Sequence, residues 1–158
     1  MKLAEALIER KALKEKIARL RERLVQNAQV QEGETPQENP RVLLVEADTA
    51  IESLRVLTIR INATNIRTPL AVDDTRTVTD AIAQRDMLML KRTVLAQLAT
   101  SATVSQQRTY GVSRNEVKFR PTVDISALQQ DIDAMSKQYR DLDARIQACN
   151  FATELLEP

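Results

Sequence analysis

The chain has 158 residues, a net charge of +1 at pH 7, no histidine and one cysteine. These values exclude an internal disulfide, histidine-based metal sites and a strong overall field attracting nucleic acid or anionic membranes. Aromatic residues make up only 3% of the chain and glycine occurs twice, which favours long helices over a β-rich fold. We therefore predict an all-α fold in one domain, residues 1–158, with four long helices in an elongated antiparallel bundle.

The N-terminal segment has no continuous apolar core of the kind that a signal peptide needs. Nowhere do 18 uncharged apolar residues follow one another, as a membrane-spanning helix would require. We therefore expect a cytoplasmic protein that does not enter the membrane.

The first helix is predicted at about residues 2–27, because apolar residues recur there with the coiled-coil spacing of three and four: Leu3, Ala6, Leu13, Ile17, Leu20 and Leu24. A polar linker, residues 29–39, follows. Asn39 and Pro40 then mark the start of a second helix, with Asn39 as N-cap and Pro40 at the first helical position.

The second helix, about residues 40–65, carries more apolar residues than one packing face can use. One predicted stripe holds Leu44, Ala47, Ile51, Leu54 and Ile61, and a second set widens it: Leu43, Val45, Val56, Leu57 and Ile59. A helix with two apolar sides is expected to contact two partners or to lie at an oligomer interface.

The third helix is predicted at about residues 77–103, with Thr77 as N-cap and Asp80 in the capping-box position. It also has two stripes, one with Ala81, Arg85, Leu88, Leu95 and Ala99, the other with Met87, Leu90, Val94 and Leu98. In the flanking linkers, Leu70 and Val72 could form a short extended segment. Residues 116–120 alternate with period two, so these two segments could make a minimal two-stranded β-pair.

The fourth helix, about residues 124–150, begins after the predicted cap Asp124. Its apolar residues are spaced three and four apart over about seven turns: Ile125, Leu128, Ile132, Met135, Tyr139, Leu142, Ile146 and Cys149. Cys149 is expected to act as a small apolar residue on this stripe. The tail carries Phe151, Leu155 and Leu156, which could fold back or dock on another chain.

Four blocks of the sequence resemble a family of small bacterial and phage helical proteins whose members often carry the label septicolysin: residues 60–65, 77–86, 113–119 and 128–151. The resemblance implies a long-helix cytoplasmic protein that self-associates, and it implies no catalytic mechanism. The label suggests pore formation, but the chain has no lipid-facing apolar segment, so we do not expect that activity.

Several polar residues in and near these blocks are candidates for holding a small anionic, nucleotide-like ligand, because arginine forks and asparagine amides suit phosphates, carboxylates and bases: Asn62, Asn65, Arg85, Arg108, Arg114 and Lys118. The last three belong to the second linker, residues 105–122, which is basic. Residues of this basic linker would reach the others by running back along the bundle, or would meet those of a neighbouring subunit. Alternatively, the asparagines only cap helix ends, and Arg85 and Asp86 form salt bridges to other helices.

No P-loop, glycine-rich dinucleotide motif, CxxC pair or serine nucleophile elbow is present. The basic linker has no recognised nucleic-acid motif, so nucleic acid is not an expected partner. We therefore predict a non-enzymatic, self-associating helical scaffold or interaction protein, without cofactor or metal, that forms a dimer or higher homo-oligomer. The alternative is an oligomer that sequesters the anionic ligand.

Overall fold

A computed structural model of the protein describes residues 1–71, 74–103 and 120–157. It contains four helices: α1 (Leu3–Gln26), α2 (Pro40–Arg67), α3 (Val78–Thr103) and α4 (Ile125–Ala152). The predicted all-α fold is confirmed, and each predicted helix boundary agrees with the observed one to within two residues. Across the described ranges, β-pairing is limited to two isolated bridges, between Lys2 and Glu154 and between Pro69 and Thr77.

The chain divides into two compact units. The first comprises Met1–Thr79 together with Gln147–Pro158, and the second comprises Asp80–Ile146.

In the first unit, α1 and α2 pack against each other in antiparallel directions. Near the start of α1, one apolar cluster contains Leu3, Ala6, Leu57, Ile61 and Leu155. Towards the end of α1, a second cluster contains Leu20, Leu43 and Ala47. Along the contact, residue numbers therefore rise in α1 and fall in α2. The ion pair between Lys16 of α1 and Glu46 of α2, at 3.2 Å, fits this antiparallel arrangement.

The turn between α1 and α2 is held by partly buried hydrogen bonds. The Asn27 side chain, 9% exposed, donates from Nδ2 to the Arg23 carbonyl at 2.9 Å and accepts from the Glu38 backbone N–H at 2.9 Å. The Arg23 guanidinium also binds the Glu38 carboxylate, with Nε···Oε2 at 2.9 Å. Asn39 then caps α2 as predicted, accepting from the Arg41 backbone N–H at 3.0 Å.

The C-terminal tail folds back onto the first unit. The backbone N–H of Leu3 donates to the Thr153 carbonyl, and that of Leu155 donates to the Met1 carbonyl, both at 2.9 Å. The Leu155 side chain is buried in the apolar cluster near the start of α1. Phe151, by contrast, is 67% exposed. Of the two predicted possibilities for the tail, folding back therefore holds for Leu155.

Thr64 of α2 anchors the tail from the helix side. Its side chain is fully buried, and its hydroxyl donates to the Arg60 carbonyl at 2.8 Å while accepting from the Leu156 backbone N–H at 3.1 Å. The Arg60 guanidinium donates to the Leu156 carbonyl at 3.0 Å. The last turns of α2 thus satisfy backbone groups of the tail that would otherwise lack partners.

In the second unit, α3 and α4 run antiparallel. Arg85 of α3 binds Asp143 of α4 at 3.0 Å, and seven residues later Arg92 donates to the Ser136 hydroxyl at 2.8 Å. Among the described residues of this unit, the buried apolar ones are Ala81, Ala99, Ile132, Leu142 and Ile146. Asp124 caps α4 as predicted, with its carboxylate accepting from the Ala127 backbone N–H at 3.0 Å.

The predicted β-pair involves residues 72 and 116–119, which lie outside the described residues. In the described residues, two backbone hydrogen bonds close the loop that follows α2. The Leu70 backbone N–H donates to the Arg76 carbonyl, and the Val78 backbone N–H donates to the Thr68 carbonyl, both at 2.9 Å.

Candidate interaction surfaces

The six residues predicted to hold an anion are placed in three different parts of the chain. Asn62 is exposed and Asn65 half-buried, both on α2 in the first unit, whereas Arg85 belongs to the second unit. Arg108, Arg114 and Lys118 lie outside the described residues. The anion site therefore stays a prediction.

Arg85 is already bound to two carboxylates. Its guanidinium contacts Asp86 and Asp143, each at 3.0 Å, and its side chain is 24% exposed. Burial disfavours the charged guanidinium, but hydrogen bonds to Asp86 and Asp143 outweigh this effect and raise the pKa of Arg85. This geometry matches the salt-bridge alternative for Arg85 and leaves it poorly suited to a ligand.

An open groove of about 350 Å³ lies beside α1 and α2 in the first unit, lined by Met1, Glu9, Glu52, Ser53, Val56, Leu57 and Arg60. Two residues of this lining carry cations, and both are already paired: Arg60 with the Leu156 carbonyl and the Glu157 carboxylate, and the Met1 ammonium with Glu154. Two glutamates also lie in the groove, so its charge does not favour an anionic ligand.

Several carboxyl groups in the described part of the chain have pKa values that are lowered by structural ion pairs. Hydrogen bonds from Arg23, Arg55 and Lys2 lower the pKa values of Glu38, Glu52 and Glu154, respectively. A lowered pKa makes a carboxylate a weaker general base. Within the described residues, no three side chains of the types His, Cys, Asp or Glu are grouped so that they could hold a metal ion.

The most prominent surface of the first unit is an apolar face of α2 that points away from α1. Its seven aliphatic side chains, each between 40% and 66% exposed, are Val42, Leu44, Val45, Ile51, Val56, Ile59 and Ile66. We call these seven residues the outer face of α2. Isolated exposed apolar residues are ordinary, but a contiguous set on one helix typically marks an interaction site.

The predicted packing stripe of α2 was partly wrong. Leu44 and Ile51 were placed with Ala47 and Ile61, but the structure exposes them on the outer face. The buried face instead contains Leu43, Ala47, Ala50, Leu57, Ile61 and Thr64. This face includes two alanines, and Ala47 packs in one cluster with Leu20 of α1. The spacing of Ala47 and Ala50 in the sequence is the signal that could have indicated this face.

In the second unit, α3 exposes a similar set: Met87, Leu90, Val94 and Leu98. We call these four residues the α3 stripe. They lie roughly opposite Arg85 and Arg92, which reach α4, at 100° of rotation per residue. In the described residues, no helix is both long enough and apolar enough to span a membrane.

Comparison with known proteins places the chain among relatives of unknown function. A crystal structure of a functionally unknown conserved protein from Corynebacterium diphtheriae has a TM-score of 0.90 to this chain at 38% sequence identity, with 99% of each chain covered. No curated protein matches the sequence.

The resemblance to proteins labelled septicolysin is wrong. The family that matches the sequence, over residues 10–155, is a family of unknown function, DUF6847. The blocks that suggested the other label are short runs rich in Ala, Ile, Arg and Asp, and such composition recurs in unrelated proteins. The chain belongs to DUF6847.

Proposed function

We propose that the protein is a non-enzymatic, self-associating helical scaffold or interaction protein. The observation that carries the proposal is the outer face of α2, where seven aliphatic side chains remain at least 40% exposed. The α3 stripe adds a second surface of the same kind. Ion-paired carboxylates with lowered pKa values support the view that the described polar residues serve structure rather than catalysis.

The energetics favour association that is measurable but weak. Burying a half-exposed aliphatic side chain contributes roughly 1 kcal/mol. The seven side chains of the outer face on each of two copies would therefore contribute on the order of 14 kcal/mol, against an association cost of about 4–15 kcal/mol. Because these terms are similar in size, we expect a dissociation constant of about micromolar or weaker.

The test is sedimentation equilibrium of the purified protein from about 1 µM to 1 mM, a range that spans the expected dissociation constant. The expected result is an average mass that rises above the 17.8 kDa of one chain as concentration increases. A monomer over the whole range would remove the proposal.

Sequestration of a small anionic, nucleotide-like ligand is the alternative. A thermal-shift screen with nucleotides, cyclic nucleotides and inorganic phosphate tests it. A ligand at 100 times its dissociation constant stabilises the folded state by about 2.7 kcal/mol. If Arg114 binds that ligand, Arg114→Ala abolishes the shift. Because Arg85 is bound to two carboxylates, we rank this function second.

A further inference from the structure

Three exposed charged residues, Asp48, Glu52 and Arg55, lie among the aliphatic ones on the outer face of α2, and Glu52 is bonded to Arg55 within the helix. Asp48 and Arg55 are both exposed, and they fall between Leu44 and Ile59 on the same side of the helix. At 100° per residue, positions 44, 48, 51, 55 and 59 lie within an arc of about 80°. Charged residues in the middle of an apolar stripe weaken association unless the partner brings the opposite charge to meet them.

These positions are arranged symmetrically along the helix. Asp48 and Arg55 lie at equal distances, about 5 Å along the axis, on either side of a midpoint next to Ile51. Leu44 and Ile59 lie at equal distances of about 11 Å from the same midpoint. A copy of α2 running in the opposite direction would therefore place Arg55 against Asp48, and Ile59 against Leu44. Each of these pairs would occur twice.

We infer that a second copy of this chain docks on the outer face of α2, an inference that rests on the proposed function. The two α2 helices run antiparallel about a two-fold axis next to Ile51. Such an interface is self-complementary, as two-fold symmetry requires. A parallel pairing in register would place Asp48 against Asp48 and Arg55 against Arg55, so like charges oppose that arrangement.

Both charged groups are available for this pairing. Asp48 has no hydrogen bond or ion pair within the described ranges. Arg55 binds the Glu52 carboxylate through Nε at 2.8 Å and Nη2 at 2.6 Å. A guanidinium has five N–H donors, so the Nη1 donors of Arg55 remain for the carboxylate of a second copy.

The first test is charge reversal in the full-length chain, measured by sedimentation equilibrium. We expect Asp48→Arg and Arg55→Asp each to weaken association at least about tenfold, because each creates like-charge contacts at both symmetric positions. The double variant D48R/R55D restores opposite charges and is expected to associate within about threefold of the wild type. Asp141→Arg, at an exposed position of α4, makes the same change in net charge as Asp48→Arg and should leave association unchanged.

The second test uses cysteine cross-linking in a Cys149→Ser background, which removes the single native thiol. Ile51→Cys is expected to form a disulfide-linked dimer readily, because the two Ile51 residues meet near the axis. Leu44→Cys is the matched control, since the two copies of Leu44 would be about 22 Å apart, far beyond the reach of a disulfide. In a parallel pairing, both variants would cross-link.

The outcomes separate this inference from the proposed function. A wild-type chain that stays monomeric removes both. A wild-type oligomer that neither single charge reversal weakens overturns the α2 pairing and leaves self-association standing. If Val94→Asp weakens that oligomer instead, the α3 stripe is the interface. Equal weakening by Asp141→Arg, or failure of the double variant to recover, also overturns the pairing.

Discussion

Arg85 on α3 donates from Nη1 to the Asp143 carboxylate on α4 at 3.0 Å, and the two side chains are 24% and 33% exposed. This ion pair joins the two helices of the second unit. We expect Asp143→Ala to lower the free energy of unfolding by about 1–2 kcal/mol, because it removes a charge-assisted hydrogen bond from a partly buried guanidinium. Urea unfolding followed by circular dichroism measures the change.

The control for that variant is Asp141→Ala. Asp141 lies on the same helix and is exposed, so the substitution removes the same charge without removing a contact to α3. We expect it to change stability by less than about 0.5 kcal/mol. Equal effects of the two substitutions would show that the Arg85–Asp143 pair adds no stability of its own.

Thr64 provides a second prediction. Thr64→Val keeps the β-branched shape but leaves the Leu156 N–H without its acceptor. We expect a loss of about 1–2 kcal/mol, together with faster hydrogen exchange at Leu156. Thr58→Val is the matched control, because the hydrogen bond that the Thr58 hydroxyl makes among the described residues stays within its own helix, to the Leu54 carbonyl at 2.7 Å. A loss as large for Thr58→Val would contradict a specific role for Thr64 in holding the tail.

A third prediction concerns the buried side chain of Asn27. Asn27→Leu fills a similar volume but removes the hydrogen bond to the Arg23 carbonyl and the one accepted from the Glu38 backbone N–H. Because the site is buried, we expect a loss of about 1–3 kcal/mol, measured by thermal unfolding. Asn39→Ala, which removes the α2 cap, is expected to lower stability by about 1 kcal/mol. No change for Asn27→Leu would mean that water replaces both bonds without loss.

Acid should weaken the contact between the tail and α1. The hydrogen bond from Lys2 lowers the pKa of Glu154 below its ordinary value of 4.5. The stabilisation is therefore complete above that ordinary value and is lost as the pH falls through the lower pKa of the folded state. Glu154→Gln should lower the melting temperature near neutral pH and reduce its fall between about pH 5 and pH 3.

Glu22→Gln is the comparison for the acid experiment. Glu22 is exposed on α1 and has no hydrogen bond or ion pair in the described part of the chain. The acid dependence of this variant should follow the wild type. If Glu154→Gln also follows the wild type, the Lys2–Glu154 contact does not contribute to stability in acid.

The helix boundaries could be predicted because their signals are local. Asn39 followed by Pro40 marks a helix start within three residues of chain, and Asp124 does the same for α4. Capping depends on side chains bonding to nearby backbone N–H groups, so no knowledge of the tertiary fold is needed.

The choice of packing face on α2 could not be predicted in the same way. Leu44 and Ile51 share one stripe with Ala47 and Ile61 by spacing, yet α1 packs against Leu43 and Ala47. Both faces of α2 are apolar, and periodicity alone does not say which one meets α1. Likewise, the role of Thr64 depends on Leu156, which is 92 residues away in sequence.

The half-buried thiol of Cys149 lies 3.5 Å from the Thr153 hydroxyl, next to the point where the tail leaves α4. As it is the single sulfhydryl of the chain, its alkylation rate under native conditions reports how often this segment detaches. If the alkylation of Cys149 is slow and becomes faster in Thr64→Val, its rate measures the local unfolding of the tail.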